Sequence, residues 1–395
     1  MSLDSLYAQR AKSIERSVIG ALKEKVKGED IISLGEGCPD KTAFPAMELS
    51  EVAQKVLQEQ GQDILQYGAV LGYVGLREQL SHLMEQYGLN YKVDAIQVTT
   101  GSMQSLELVT KLFLEPGDTV LVEDPTFIDA QNVLRFSGAN VIGISCDEFG
   151  MDLGELEEAL QSDASIKAIY VIPDFQNPTG LCWSEARRAA FMNLISQYNV
   201  VVFEDNPYGE LSYMHEPYKA LASYDTKGQV IFMGSLSKTL SPGLRLGWLA
   251  GKKAVVDMLS LVKEQSDIHS SIPDHVIAAT YMAEYDYKGH VQSMCKMYKS
   301  RMDTLIKELK AQLPEFTFQS PEGGFFLWLA LPEGINDMEF FEAALAEKVL
   351  VIPGSPFLVG MHNKSYIRVN FSGVKEAQIV EAVQRLAKAY KKMIK

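Results

Sequence analysis

Cysteine is scarce in this chain: four among 395 residues, at Cys38, Cys146, Cys182 and Cys295. None lies close to another, so there is no paired metal-ligand spacing and no metal site is expected. Scattered single thiols also argue against a disulfide scaffold and fit a reducing, cytoplasmic compartment. Long apolar runs are missing too, and nothing approaches the ~20 residues of a membrane-spanning helix. Met1-Ser2-Leu3-Asp4-Ser5 lacks the basic region and apolar core of a secretory signal. Basic residues are outnumbered: 37 Lys and Arg against 51 Asp and Glu leave a net charge of -14. That balance argues against a nucleic-acid or anionic-membrane surface as a partner. Repeats and low-complexity tracts are absent as well.

What is present is an apolar fraction of 47%, enough for a sizeable core. From about residue 96 to 251, short β-branched runs alternate with amphipathic helical stretches. Ile96–Thr100, Thr119–Glu123, Asn140–Ser145, Lys167–Ile172, Val200–Glu204 and Gln229–Met233 read as strands. Met103–Leu114 and Ser184–Tyr198 read as helices, the second with Ser184 as N-cap. This alternation predicts βαβ units and a mostly parallel sheet, an α/β fold with ligands at the carboxyl ends of the strands. After about residue 290 the pattern changes. A charged helix is expected over His290–Leu313, then strands at Phe316–Phe318 and Gly324–Leu329. A helix near Met338–Lys348, a strand at Tyr366–Phe371 and a final helix from Lys375 follow. The expected division is a large domain over 46–290 and a smaller α+β domain from 1–45 plus 291–395. An amphipathic helix at Ser13–Val26 would pack on the smaller one.

The densest chemistry lies in Ser235-Leu236-Ser237-Lys238-Thr239-Leu240-Ser241-Pro242-Gly243-Leu244-Arg245. The buried run Val230–Met233, read as a strand ending at Gly234, precedes it. A lysine offered from a loop between core strands suits Schiff-base chemistry, and the hydroxyls with Arg245 suit a phosphate. Five further segments follow predicted strands. Thr100-Gly101-Ser102-Met103 opens a helix whose first amides favour an anion, although alone it reads as a simple cap. Phe127, after Glu123-Asp124-Pro125-Thr126, could stack on a planar ring or simply fill the core. Asn177, in Gln176-Asn177-Pro178-Thr179-Gly180, projects an amide from a turn. Asp205 ends an apolar strand just before Asn206-Pro207-Tyr208, a costly position without a cation or donor. Arg368 interrupts Tyr366–Phe371 and is either an internal ion pair or a carboxylate receptor.

Together these segments resemble the class I/II aminotransferases, the fold-type I enzymes that use pyridoxal 5'-phosphate. The resemblance covers nearly the whole chain. Leu34-Gly35-Glu36-Gly37-Cys38-Pro39-Asp40, Gln66-Tyr67-Gly68, Val122–Pro125 and Gln176–Gly180 are most similar to the 2-aminoadipate and multi-substrate aminotransferases and the aminotransferase-like domains of MocR-type regulators. It implies a mostly parallel seven-stranded sheet sandwiched by helices. It implies that Lys238 forms the cofactor aldimine and shuttles a proton, that Asp205 pairs with the pyridine nitrogen, and that Tyr208 and Asn177 bond the ring's phenolic oxygen. Phe127 would stack on the ring. Gly101, Ser102 and Met103, with Ser235, Ser237 and Arg245, would hold the phosphate. Tyr67 would reach the phosphate of a neighbouring subunit, which makes a homodimer with shared sites. Arg368 would take the substrate α-carboxylate, with Gly37 in the same pocket.

Two departures from the family pattern stand out. Met103 replaces a glutamine of many relatives, leaving only a backbone contact. Gly20 stands where relatives specific for long acidic substrates carry an arginine, with Arg16 nearby. The expected reaction is amino transfer from an L-amino acid to a 2-oxo acid, 2-oxoglutarate first among them, by a ping-pong mechanism. A lyase or decarboxylase on the same scaffold is the alternative. A MocR-like ligand sensor is a further one, but only 33 residues precede Leu34, too few for a winged helix.

Overall fold

The computed structural model describes residues 3–12 and 30–394. The helix expected at Ser13–Val26, with Arg16 and Gly20, lies outside the described residues.

The expected strands form one sheet. Strands β2 (Ile96–Thr100), β3 (Thr119–Asp124), β4 (Asn140–Asp147), β6 (Ile166–Val171), β7 (Val201–Asn206), β8 (Val230–Ser235) and β9 (Leu246–Ala250) run in the order β2-β9-β8-β7-β6-β3-β4. Neighbours β4-β3-β6-β7-β8 are parallel, and β9 is antiparallel to both β8 and β2. A two-residue strand, β5 (Gly150–Met151), adds an eighth at the edge by folding back on Cys146 and Asp147.

Successive side chains of a strand point to opposite faces, and each face here has its own apolar core. Leu121, Ile169, Val202 and Phe232 enter one; Val120, Val122, Ala168, Phe203 and Ile231 enter the other. A sheet covered on both faces needs continuous apolar runs, which is why β7 to β9 are buried at every position. Strand β8 extends to Ser235, one residue past the expected end, because Ser235 pairs with Gly247 of β9.

A third core lies around the small antiparallel sheet of β10 (Phe326–Ala330), β13 (Tyr366–Asn370) and β12 (Ile352–Pro353). Phe316–Phe318 makes only a single bridge, Thr317 with Ala330, because Phe316 turns in against Phe340 and Tyr390. The helix Tyr287–Gln312 is 26 residues long and joins two cores. Its Tyr287 and Val291 pack with the large sheet, while Met294, Tyr298 and Leu305 pack with the small one. The border expected between 290 and 291 falls at its first turn. Strand β1 (Ile32–Ser33) pairs with β11 (Val349–Leu350), and Asn370 N donates to Leu34 O at 2.7 Å. These bonds carry Gly35–Cys38 across the carboxyl ends of the large sheet. No helix of the described residues is long and apolar enough to cross a membrane.

Candidate active site

A cavity of about 260 Å³ opens where β6, β7 and β8 end. It gathers Lys238, Asp205, Tyr208, Asn177, Phe127 and Arg368, and with them Gly37, Ser102, Met103, Ser235, Ser237 and Arg245. Gly101 lies behind its wall. Tyr67 does not reach it; its side chain is 77% exposed, with its ring edge-on to His269 at 5.8 Å. A larger cavity of about 480 Å³, beside His82, Glu210 and Lys296, contains none of these residues.

Asp205 stands at the second-last position of β7 and is almost fully buried. Burial pushes its carboxyl group up to about 6, while the Tyr170 hydroxyl and the Lys238 charge pull the other way. Tyr170 donates to Asp205 Oδ2 at 2.8 Å. Oδ1 is buried and has no partner. A carboxylate oxygen stripped of water and left unpaired is costly, so this atom calls for a donor, preferably a cationic one.

Lys238 follows β8 on a loop that re-enters the sheet through β9. Its Nζ donates to Gly37 O at 2.8 Å and lies 5.9 Å from the centre of the Tyr208 ring. Burial holds the ammonium below its usual range; Arg368 and Arg245 add to this, and Cys38 and Asp205 oppose it. A lysine so placed gives up its proton more easily than an exposed one, and the neutral amine is the form that attacks a carbonyl or accepts a proton.

The anion cradle is made from backbone. Gly101 (φ 77°) turns the chain into the helix Ser102–Phe113, whose first amides have no partner within the helix. Arg245, in the left-handed region at φ 52° and ψ 43°, lays its exposed guanidinium against Gly101. A Cβ on Gly101 would sit 2.4 Å from Arg245 Nη2. The arginine tip could swing aside, so it is the positive φ that most favours glycine there. Ser235 Oγ accepts from Ser237 N at 3.2 Å on the opposite side.

Arg368 is a buried guanidinium with no acidic hydrogen-bond partner. Nη1 donates to Asn177 Oδ1 and Nη2 to Gly35 O, both at 2.8 Å, and Nε is unpartnered. The Phe326 and Phe357 rings flank it at 4.4 and 5.0 Å. Burial lowers its pKa to about 10. Among the described residues Arg368 forms no internal ion pair, which leaves its guanidinium open to a carboxylate. Beneath the Asn177 turn, Arg188 and Asp174 form a buried ion pair at 2.8 Å, and Asn206 Nδ2 donates to Asp174 at 2.9 Å.

Cys38 and Asp129 also line this cavity, and Tyr170 stands behind it against Asp205; none of the three has a role assigned from sequence. Tyr170 carried no signal in the sequence, because only strand pairing brings it to Asp205. It stands on the strand parallel to that of Asp205, in register with Phe203, two residues before it.

Pyridoxal 5'-phosphate fits these residues on three observations. Its pyridinium N–H answers the orphaned Asp205 Oδ1, its phosphate answers the glycine-lined helix start with Arg245, and its aldehyde answers a desolvated lysine. This is the site of a fold-type I pyridoxal-phosphate enzyme. The family model for aminotransferase class I and II matches residues 29–386. An aromatic-amino-acid aminotransferase of Thermococcus litoralis is 35% identical over all of this chain and 96% of its own length. A 2-aminoadipate transaminase of Thermus thermophilus is 30% identical over all of this chain and 98% of its own. The crystal structure of a kynurenine aminotransferase from Pyrococcus horikoshii superposes with a TM-score of 0.94, at 34% identity, over all of this chain and 98% of that one. The chain belongs to the class I and II aminotransferases, and it transfers amino groups with pyridoxal 5'-phosphate as cofactor.

Proposed function

We propose that this enzyme moves the amino group of an L-amino acid to a 2-oxo acid in two half reactions at the Lys238 cavity. The observation that carries the reading is the pairing of an unpartnered Asp205 oxygen with a desolvated Lys238 and a carboxylate-free Arg368 around one cavity. When bound, the cofactor supplies an electron sink for the bonds at the substrate α-carbon. Asp205 would keep the ring nitrogen protonated, Phe127 would lie against the ring, and Asn177 and Tyr208 would donate to its phenolic oxygen. Ser102, the amides of Gly101 and Met103, Ser235, Ser237 and Arg245 hold the phosphate. Arg368 clamps the α-carboxylate beside Gly37 and so aims the α-hydrogen at Lys238, whose amine takes the proton and returns it.

The same reading extends to the assembly. Tyr67 is supported as a contribution to a neighbouring subunit's phosphate site by its exposure and by its distance from its own cavity. The division into 46–290 and 1–45 plus 291–395 is supported by the separate cores at the two ends of the helix Tyr287–Gln312. Four unbonded cysteines support a cytoplasmic location.

The test begins with the protein loaded with pyridoxal 5'-phosphate. It is expected to absorb visible light, to lose that band on adding a donor amino acid with one oxo acid formed per site, and to regain it on adding an oxo acid. Borohydride is expected to fix the cofactor to Lys238 alone. Attachment at another lysine in Lys238→Ala overturns that assignment. Turnover without stoichiometric oxo acid makes the enzyme a lyase.

A further inference from the structure

We propose that the second, larger cavity binds a small amino carboxylate, its ammonium and carboxylate separated by an apolar chain, and that occupancy there is felt at Lys238. Binding is independent of the amino-transfer reading; the coupling assumes that Lys238 holds the cofactor.

The cavity, of about 480 Å³, has the size that takes a small organic molecule. It lies between the end of the helix Val74–Met84, the loop after β7 and the first turns of the helix Tyr287–Gln312. Leu83, Tyr213 and Val291 give it apolar wall. Glu210 lines it and is half-buried. Its Oε2 accepts from the Tyr287 hydroxyl at 2.9 Å and the Thr239 hydroxyl at 3.2 Å. Among the described residues, no cation pairs with this carboxylate and no donor meets Oε1. Burial pushes the carboxyl group up to about 7, and the two hydroxyls pull the other way. An ammonium entering the cavity would supply the partner that a partly desolvated carboxylate calls for.

The opposite charge stands on the helix. Lys288 and Lys296 are exposed on one face, eight residues and roughly 12 Å apart along the axis. Neither has an ion-pair partner among the described residues. The other cationic side chains of the wall are engaged: Lys299 with Asp303 at 2.7 Å, His215 with Glu322 at 3.2 Å and His82 with Glu85 at 3.3 Å. Exposed Glu216 adds to the acidic side. Two surface lysines alone would be an ordinary solvated face. Beside a half-buried carboxylate and apolar wall, they make a place for unlike charges at the two ends of one molecule.

Glu210 also reaches the reacting loop, because Thr239 directly follows Lys238. The Tyr287 hydroxyl lies 2.8 Å from Thr239 Oγ1, and His290 Nε2 lies 2.9 Å from Thr239 O. An ammonium that draws the Glu210 carboxylate into the cavity weakens its hold on Thr239. By linkage, the state of the Lys238 loop then changes the affinity of the cavity in return.

The probe is ε-aminocaproate, which has no α-amino group to transfer. Borohydride reduction of the loaded enzyme first closes the Lys238 cavity to new amines. Calorimetry is then expected to show one probe molecule bound per chain. Hexanoate and hexylamine, each lacking one charge, should bind more weakly. Glu210→Gln keeps an acceptor for Tyr287 and Thr239 and removes the charge; it is expected to weaken binding roughly tenfold. Lys288→Glu combined with Lys296→Glu should do the same, and keeps the test open if Glu210→Gln folds poorly by its melting temperature. In the unreduced loaded enzyme, the probe should shift the pH midpoint of the visible band, and in Glu210→Gln it should not. No binding, or binding unmoved in both variants, overturns the site. Binding lost only in Arg368→Ala places the probe in the substrate cavity and overturns it as well. A midpoint unmoved in an enzyme that binds the probe overturns the coupling. None of these readouts needs amino transfer, so they fail separately from that reading.

Discussion

At Asp205 one hydroxyl opposes burial in setting the state of the carboxyl proposed to meet the cofactor ring. The carboxyl is raised to about 6 by burial, and the Tyr170 hydroxyl is the first of the groups that hold it down. Tyr170→Phe keeps the ring packed and removes that donor. The pKa of Asp205 in the cofactor-free protein is then expected to rise further above its ordinary value. Cofactor uptake requires the carboxylate and is present above that pKa, so its acid limb should move to higher pH. Binding titrations between pH 5 and 8 would show it; an unmoved limb would mean that Tyr170 only packs. Residues differ in how legible they are. Asp205 and Arg368 stand out in sequence because a charge inside an apolar strand demands a reason. Tyr170 does not, because an aromatic inside such a strand is ordinary core until its hydroxyl finds a carboxylate two positions along the next strand.

At the scale of elements, the phosphate cradle depends on how closely β9 approaches the start of the helix Ser102–Phe113. A Cβ on Gly247 would lie 2.5 Å from both Gly101 C and Ser102 N, and backbone cannot swing aside as a side chain can. Gly247→Ala should therefore displace the cradle at a cost of about 1–3 kcal/mol. The expected readout is a Kd for pyridoxal 5'-phosphate raised roughly tenfold, measured by fluorescence titration. Gly61→Ala is the control: its position is open and helical, and the Kd should not change. The central strands β7 and β8 are legible because each opens on an unbroken apolar run and is bounded by turns. The short strand expected at Phe316–Phe318 is not formed, since its aromatic residue finds more burial against Phe340 and Tyr390 than pairing would supply. The antiparallel course of β9 follows from the loop of Lys238 turning straight back. Residue types alone do not show that direction.

For the whole molecule, the cavity exists because two cores meet at it. The large sheet and its loop supply Asp205 and Lys238; the small sheet supplies Arg368, backed by Phe326. Asp124 ties them, accepting from Val359 N at 3.0 Å, Gly360 N at 2.8 Å and His362 Nε2 at 2.9 Å. The proposed dimer has a test at this scale. Lys238→Ala and Tyr67→Ala subunits, each impaired alone, should on mixing form hybrids with one intact site, and activity should recover in part. No recovery, or a monomer by light scattering, would place Tyr67 outside the partner's site.

The sequence by itself determined the alternation of strands and helices, the strand ends at which the polar segments gather, and the proposal of Lys238 as the reacting lysine. Each of these follows from local patterning: apolar runs, turn residues and polar groups at strand ends. Only the tertiary structure decided which Asp205 oxygen is left without a partner, that Arg368 has no internal ion pair, and that Asp129 faces the same cavity. Those are facts about distance between segments far apart in the chain, and packing alone sets them.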